Sequence, residues 1–279
     1  MYSIIKVLNN NTILTAMENT NYIFLGKGIG FGKKVGDSFA PREEDQKYVF
    51  VTKDEKRNHP NTAFNNVDPI FVEIVLDIMN IIKEEYQFVD EDVLVPLVDH
   101  IAFAIERLNN NIKIENPFIK DIALLFPKEY EVAQKARLMI EKRVHCQLPE
   151  DEVGYITLHI RSSISSNRVD ESIQVMEVIR QNILKLQNDL HITINENSIA
   201  YIRLMNHLKF LLLRLDTNED LNMDISEFTK TNYPFAYKQA TKICRELTKV
   251  LAKEVPEVEI GYLALHLERI LSQELANAN

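Results

Sequence analysis

The sequence predicts a multidomain chain: a small all-β head, a four-stranded antiparallel sheet expected to dimerise, followed by two all-α repeats, each a five-helix bundle. Three observations predict it. First, the C-terminal two-thirds is written twice at a constant offset of 107 residues. DHIAFAIER at 99–107 returns as NHLKFLLLR at 206–214, FPKEYEVAQKA at 126–136 as YPFAYKQATKI at 233–243, and EVGYITLHI at 152–160 as EIGYLALHL at 259–267. Second, five of the seven glycines lie between Gly26 and Gly36, and the other two, Gly154 and Gly261, are repeat partners. A body almost free of glycine suits helices, where glycine costs about 1 kcal/mol against alanine. Third, the apolar period changes along the chain from short β-branched runs to helical stripes.

The head carries four such runs, SIIKVL, NTILTA, NYIFLG and KYVFVT, with Asn9, Asn10 and Asn11 as a turn between the first two. Four short strands in about 55 residues make a marginal core, which is why the sheet is expected to pair with a second copy. Segment 53–66, KDEKRNHPNTAFNN, is polar and holds a proline, so it reads as a linker. Beyond it, Phe71, Ile74, Val75, Ile78, Ile81 and Ile82 form one helical stripe, and Leu94, Leu97, Val98, Ile101, Ala104, Ile105 and Leu108 another. Pro127 and Pro149 introduce further helices, mirrored by Pro234 and Pro256. Segment 163–170, SISSNRVD, separates the repeats. The expected domains are 1–57, a linker at 58–66, then 67–167 and 168–279.

A hydrophobic content of 46% and a charged content of 26% are those of a soluble globular protein. No apolar run reaches the roughly 18–20 residues of a membrane helix, and MYSIIKVLNN lacks the features of a signal peptide. Cys146 and Cys244 do not occupy matching repeat positions, which argues against a framework disulfide and fits the cytoplasm. Net charge is −9, yet residues 1–57 hold nine basic and seven acidic side chains. A mildly basic head on an acidic body points to a polyanion partner for the head alone.

The glycine run GKGIGFG fits neither GxxxxGK[ST] nor a dinucleotide turn leading into a helix. A basic sheet edge approaching a nucleic-acid backbone fits better, with Phe31 for stacking and the asparagines for hydrogen bonds. The plain alternative is a hairpin that merely turns the chain. The repeats carry four histidines in register: His100 with His207, and His159 with His266. Glu152 and Tyr155 share a helix face with His159, as Glu259 and Tyr262 do with His266, and Arg107 and Arg214 lie seven residues after His100 and His207. His59, His145 and His191 have no partner and read as surface residues. The four paired imidazoles admit three readings: satisfied packing groups, ligands of zinc or iron, or nucleophiles that accept a phosphoryl group beside a guanidinium. No HExxH spacing supports the metal.

On KVLNNN, FLGKGIGFGKK and the paired DHIAFAIER and GYITLHI motifs, the whole chain resembles the BglG/SacY/LicT-type transcriptional antiterminators of bacteria, and among them the glucose-type branch. The resemblance implies a non-enzymatic regulator without cofactor or metal. Its dimeric head would bind a hairpin in a nascent leader mRNA through Lys6, Asn11, Gly26, Lys27, Gly28 and Phe31. Many relatives have arginine where this chain has Lys27, which loses the bidentate fork. The resemblance also implies phosphorylation of His100, His159, His207 and His266 in two PRDs by the phosphotransferase system. A sugar permease's IIB domain would act on the first PRD to inhibit, and HPr on the second. Phosphates near a two-fold axis would repack the PRD homodimer and separate the paired heads. A DNA-binding regulator is the runner-up, disfavoured because no helix-turn-helix precedes the repeats, and a helical metalloprotein stands third. Asp99 becomes Asn206 and Glu106 becomes Leu213 in the second copy, so the copies are expected to answer to different donors.

Overall fold

The computed structural model describes residues 1–18, 20–51, 63–65, 67–165, 168–219, 221 and 223–278. Most of the linker read from the sequence, His59 within it, the end of the fourth β run and residues 166–167 lie outside the described residues. The described residues divide into two compact units. One comprises Met1–Ile114 with Lys135–Pro149, the other Glu115–Gln134 with Glu150–Asn279.

In the first unit, β1 (Tyr2–Asn9), β2 (Thr12–Met17), β3 (Thr20–Leu25) and β5 (Gln46–Val51) form the expected antiparallel core. Two short strands extend it: β4 (Ser38–Phe39) beside β1, and β6 (Ala63–Asn65) parallel to β5, giving the order β4-β1-β2-β3-β5-β6. Neither carries enough β-branched sequence to be read from pattern alone; each is recruited by an open edge. Central β2 is buried along Thr12–Thr15, while Ile4, Ile13, Phe24, Ile29 and Phe39 form the apolar layer.

Helix α1 (Pro69–Glu85) starts on Asp68, whose Oδ1 accepts from the Ile70 amide at 2.9 Å, and Pro69 supplies the preset first turn. Its buried stripe keeps Ile74, Val75, Ile78 and Ile82 of the predicted set and adds Val72, Leu76 and Met79, while Phe71 and Ile81 lie at its partly exposed margins. Helix α2 (Leu94–Asn109) packs against α1 and buries Leu94, Leu97, Val98, Ile101, Ala104 and Ile105.

The remaining helices are α3 (Ile119–Leu125), α4 (Pro127–Val144), α5 (Glu150–Ile164), α6 (Val169–Leu190), α7 (Ile199–Thr217), α8 (Ser226–Asn232), α9 (Pro234–Leu251) and α10 (Glu257–Ala278). The 107-residue offset carries α3 onto α8 and α4 onto α9 at both ends. It also carries backbone detail. Left-handed Asn111 returns as left-handed Asn218, and His145 as Ala252. Tyr130 donates to Glu150 at 3.1 Å as Tyr237 does to Glu257 at 2.9 Å. The paired glycines mark helix crossings: a Cβ at Gly154 would meet Asn116 Nδ2 at 2.6 Å, and one at Gly261 would meet the Ser226 backbone at 2.9 Å. His145 and His191 are exposed at left-handed positions that end α4 and α6, consistent with a surface role.

Within the second unit, residues of both repeats share one core, including Ile122, Phe126 and Leu158 from the first and Leu208, Leu211 and Leu263 from the second. Buried Tyr201 on α7 donates to Asp121 on α3 at 2.9 Å. Arg161 on α5 donates to Asp216 on α7 at 2.8 Å. Among the described residues, no helix is long and apolar enough to cross a membrane.

Candidate functional site

Two places gather the residues singled out by sequence, one in each unit. In the head, the asparagine turn and the glycine loop are laced together. The Asn11 amide donates to Asn9 Oδ1 at 2.8 Å, and the Gly28 amide donates to Asn11 Oδ1 at 2.8 Å. Backbone bonds run from Gly26 to the Asn11 carbonyl and from Gly30 to the Asn10 carbonyl, each 2.9 Å. Gly28 has φ 72°, a conformation open to glycine. A Cβ at Gly26 would collide with the Asp45 carboxylate. Asn9 to Asn11, Gly26 and Lys27 line a cleft of about 480 Å³ with Gln46 and, from α1, Leu76, Met79, Asn80 and Lys83.

The structure therefore brings Asn11, Gly26, Lys27 and Gly28 together. Phe31 stands apart from the cleft lining with 77% of its surface exposed. Lys6 is not free: its ammonium meets Glu73 Oε1 on α1 at 2.7 Å, and Arg143 approaches the same carboxylate at 3.7 Å. Sequence reasoning missed Arg42 and Asp45. Arg42 donates to the Asp45 carboxylate from its backbone amide, from Nε and from Nη2, the last at 2.8 Å, and Nη2 also donates to the Lys27 carbonyl at 3.1 Å. The R-x-x-D spacing was a visible signal, but nothing local tied it to the glycine loop.

In the second unit, α7 and α10 carry His207 and His266 to ring centroids 5.1 Å apart, inclined at 31°. Tyr262 stacks beside His207 at 6.1 Å. Arg203, Asn206, Phe210, Arg214 and Leu221 complete a pocket of about 350 Å³. Under it, Arg214 grips Glu259 through Nε at 2.6 Å and Nη2 at 2.9 Å. The helical spacings Glu259–Tyr262–His266 and His207–Arg214 thus meet across one helix pair.

The electrostatics of the pocket favour neutral imidazoles. Burial, then the neighbouring His266 and the Arg214 charge, push His207 down to about 3, against a smaller opposing contribution from the Glu259 backbone. His207 Nε2 lies 3.4 Å from Glu259 Oε2 without hydrogen-bond alignment. The Glu259 carboxylate is bonded to Arg214 instead. Burial, then Arg269 and Arg203, lower His266 as well. His266 Nδ1 is buried without a hydrogen-bond partner among the described residues. A neutral imidazole keeps a lone pair, so both rings are competent nucleophiles at neutral pH, with three guanidiniums nearby for an anion.

Arg203 and Arg269 were also missed. Their counterparts at the repeat offset are Pro96 and Ser162, so the duplication hid them. Helical spacing would have found them, four residues before His207 and three after His266. The first-repeat pair, His100 on α2 and His159 on α5, is half-buried. Among the described residues, no three His, Cys, Asp or Glu side chains are grouped to hold a metal ion.

The profile of the CAT RNA binding domain matches residues 2–59, and that of the PRD domain matches 73–163 and again 180–270. The chain is 35% identical to Protein GlcT of Staphylococcus saprophyticus, over 95% of this chain and 96% of that protein. It is 33% identical to the GlcA/glcB genes antiterminator of Staphylococcus carnosus, over 100% of this chain and 99% of that protein. The crystal structure of GlcT CAT-PRDI is 32% identical and covers 58% of this chain and 98% of its own, with a TM-score of 0.38.

Proposed function

The chain belongs to the family of transcriptional antiterminators that join a CAT RNA-binding domain to two PRD domains, and from that premise we propose how its parts divide the work. The protein is an RNA-binding regulator, not an enzyme. In our reading, Lys6, Asn11, Gly26, Lys27, Gly28 and Phe31 contact a leader-mRNA hairpin that excludes a terminator, upstream of a glucose-type phosphotransferase gene. The functional domains are 1–57, 67–167 and 168–279, the working form is a cytoplasmic homodimer, and IIB and HPr are the phosphoryl donors.

The observation that carries the switch is the pair of imidazoles 5.1 Å apart over the Arg214–Glu259 bond, where burial favours their neutral form. A ring nitrogen of the acceptor attacks the phosphorus of a donor phosphohistidine. The donor N–P bond breaks, the new N–P bond forms, and overall one proton passes from the acceptor ring to the donor ring. The product adds about two negative charges to a pocket that already holds Glu259. Arg203, Arg214 and Arg269 can bind the phosphate, and drawing Arg214 from Glu259 would loosen the α7–α10 seam. His100 and His159 are each phosphoryl acceptors of the first repeat, with inhibition assigned to His100.

The test is phosphorylation of the full chain by purified HPr and IIB, with the modified histidines mapped at alkaline pH. Labelling confined to the four paired histidines is expected. Labelling at His145 or His191, or none with either donor, overturns the switch. Full antitermination by His100→Asp in cells, together with continued repression of His100→Ala, removes His100 as the inhibitory site.

A further inference from the structure

We infer that Arg42 and Asp45, outside the expected set of RNA contacts, are positioning residues that set the glycine loop in its RNA-binding shape. The inference rests on the head's being the RNA-binding element. Three contacts support it. Asp45 lies directly beneath Gly26, where any Cβ would strike its carboxylate. Its side chain is fully buried, an unusual place for a carboxylate unless the charge is answered. Arg42 answers it with its side chain, at 2.8 Å from Nη2, and with its own backbone amide, which donates to Oδ2 at 2.8 Å.

The same guanidinium reaches the other way. Arg42 Nη2 donates to the Lys27 carbonyl at 3.1 Å, so one planar fork spans the buried carboxylate and the backbone of the loop. From the opposite side Asn11 Oδ1 holds the Gly28 amide. Lys27 is therefore fixed from both flanks: its carbonyl through Arg42, and the next amide through Asn11. The planar guanidinium sets Nε and Nη2 on the carboxylate and Nη2 on the carbonyl in one fixed geometry; a lysine ammonium in place of Arg42 has three donors but no rigid plane to hold them there. Burial works against the charged carboxyl, but the bonds from Arg42 outweigh it and keep Asp45 below the ordinary range. The pair is thus ionised throughout neutral pH.

This role differs in sign from the simple electrostatic one. If Arg42 were only a phosphate ligand, removing the acidic Asp45 would release it and strengthen binding to a polyanion. As a positioning pair, removing Asp45 drops the support of the loop and weakens binding although the head becomes more positive.

The experiment uses the full chain and a fluorescein-labelled RNA hairpin selected by the wild-type protein from a randomised hairpin pool. Affinity is measured per active molecule by stoichiometric titration, as a function of salt, beside thermal melting. Failure of the wild-type chain to select any hairpin refutes the RNA-binding reading itself. Given a bound hairpin, Asp45→Asn is expected to weaken binding about tenfold or more. Arg42→Lys and Arg42→Ala are expected to weaken it alike, and the double variant no further than the worse single one. Tighter or unchanged binding by Asp45→Asn, or wild-type affinity in Arg42→Lys, overturns the inference. So does a melting temperature that falls while affinity per active molecule stays constant. Should Asp45→Asn fail to fold, the half-exposed Arg42 variants decide alone. Equal weakening by Arg42→Lys and Arg42→Ala supports positioning, and retention by Arg42→Lys with a log–log salt slope reduced by about 0.7–0.9 in Arg42→Ala supports a phosphate ligand.

Discussion

The glycine loop and the imidazole pocket use the same device, an arginine bound to a buried carboxylate, for opposite ends. In the head, the Arg42–Asp45 pair lies under an exposed loop and leaves Lys27 and Phe31 open to solvent. In the pocket, the Arg214–Glu259 pair lies under two imidazoles that burial, before any neighbouring charge, keeps uncharged. In the proposed function, the first arrangement would present positive charge to RNA and the second would withhold charge until a phosphoryl group is transferred. Buried ion pairs add little net stability but cost much when halved, so each pair fixes one geometry for its site. The difference lies in what sits above the carboxylate: a glycine backbone in one case, an imidazole in the other.

The largest effect should come from halving the more deeply enclosed pair. Arg214→Ala leaves Glu259, with its side chain 4% exposed, without its counter-ion. A loss of about 3–5 kcal/mol is expected, read as a fall in the urea midpoint of the full chain. Adding Glu259→Gln should return most of it. If Arg214→Ala alone melts like wild type, the pocket is not built on this pair.

Next comes Gly26→Ala, which forces a methyl group onto the Asp45 carboxylate. Overpacking of this kind costs about 1–3 kcal/mol, or roughly five- to 150-fold in hairpin affinity if it is spent on the loop. Gly261→Ala presses on Ser226 instead. It should lower stability and leave hairpin affinity per folded molecule unchanged, which separates the two regions by measurement.

The pH dependence follows from the pocket. His207 is held near 3 when folded, against about 6.5 unfolded. A depressed histidine contributes stability that is fully present above about pH 6.5 and is lost as pH falls toward 3, because the unfolded state binds the extra proton. His207→Asn should flatten the stability profile across that window, by an amount of order 1–3 kcal/mol. An unchanged profile would mean that the ring is not buried neutral in solution.

Much of this was legible in the sequence, for a definable reason. The duplication writes each helix twice, so α3, α4 and α5 could be checked against α8, α9 and α10, and the four imidazoles emerged because descent preserved their register. What the duplication cannot show is whatever only one copy has: Arg203 and Arg269 stand opposite Pro96 and Ser162. In the head no duplication helped. Strand pattern found β1, β2, β3 and β5, whose side chains alternate or run apolar, but not β4 and β6, which exist because neighbouring edges pair with them. Asp45 went unread because the last of three consecutive acidic residues in PREEDQK looks solvated, and only the fold sets it under Gly26.

The smallest effect tests the head where it meets its own acidic neighbour. Lys6 has its ammonium 2.7 Å from Glu73, and the lysine side chain remains 56% exposed. An exposed pair of this kind is worth about 0.2–1 kcal/mol. If Lys6 contacts RNA, that bond must be exchanged for a phosphate, and Glu73→Gln removes the competitor. Hairpin affinity should then rise by roughly two- to fivefold, most clearly at low salt. The same change leaves Arg143 its stronger partner Asp77, at 2.6 Å, so α1 stays tied to α4 and stability should move little. Affinity that is unchanged at low salt would show that Lys6 is not an RNA contact and that its partner in the working protein is Glu73 itself. A rise in affinity would make Glu73 an acidic competitor for the RNA, which the imidazole pocket, with its carboxylate already bound to arginine, does not have.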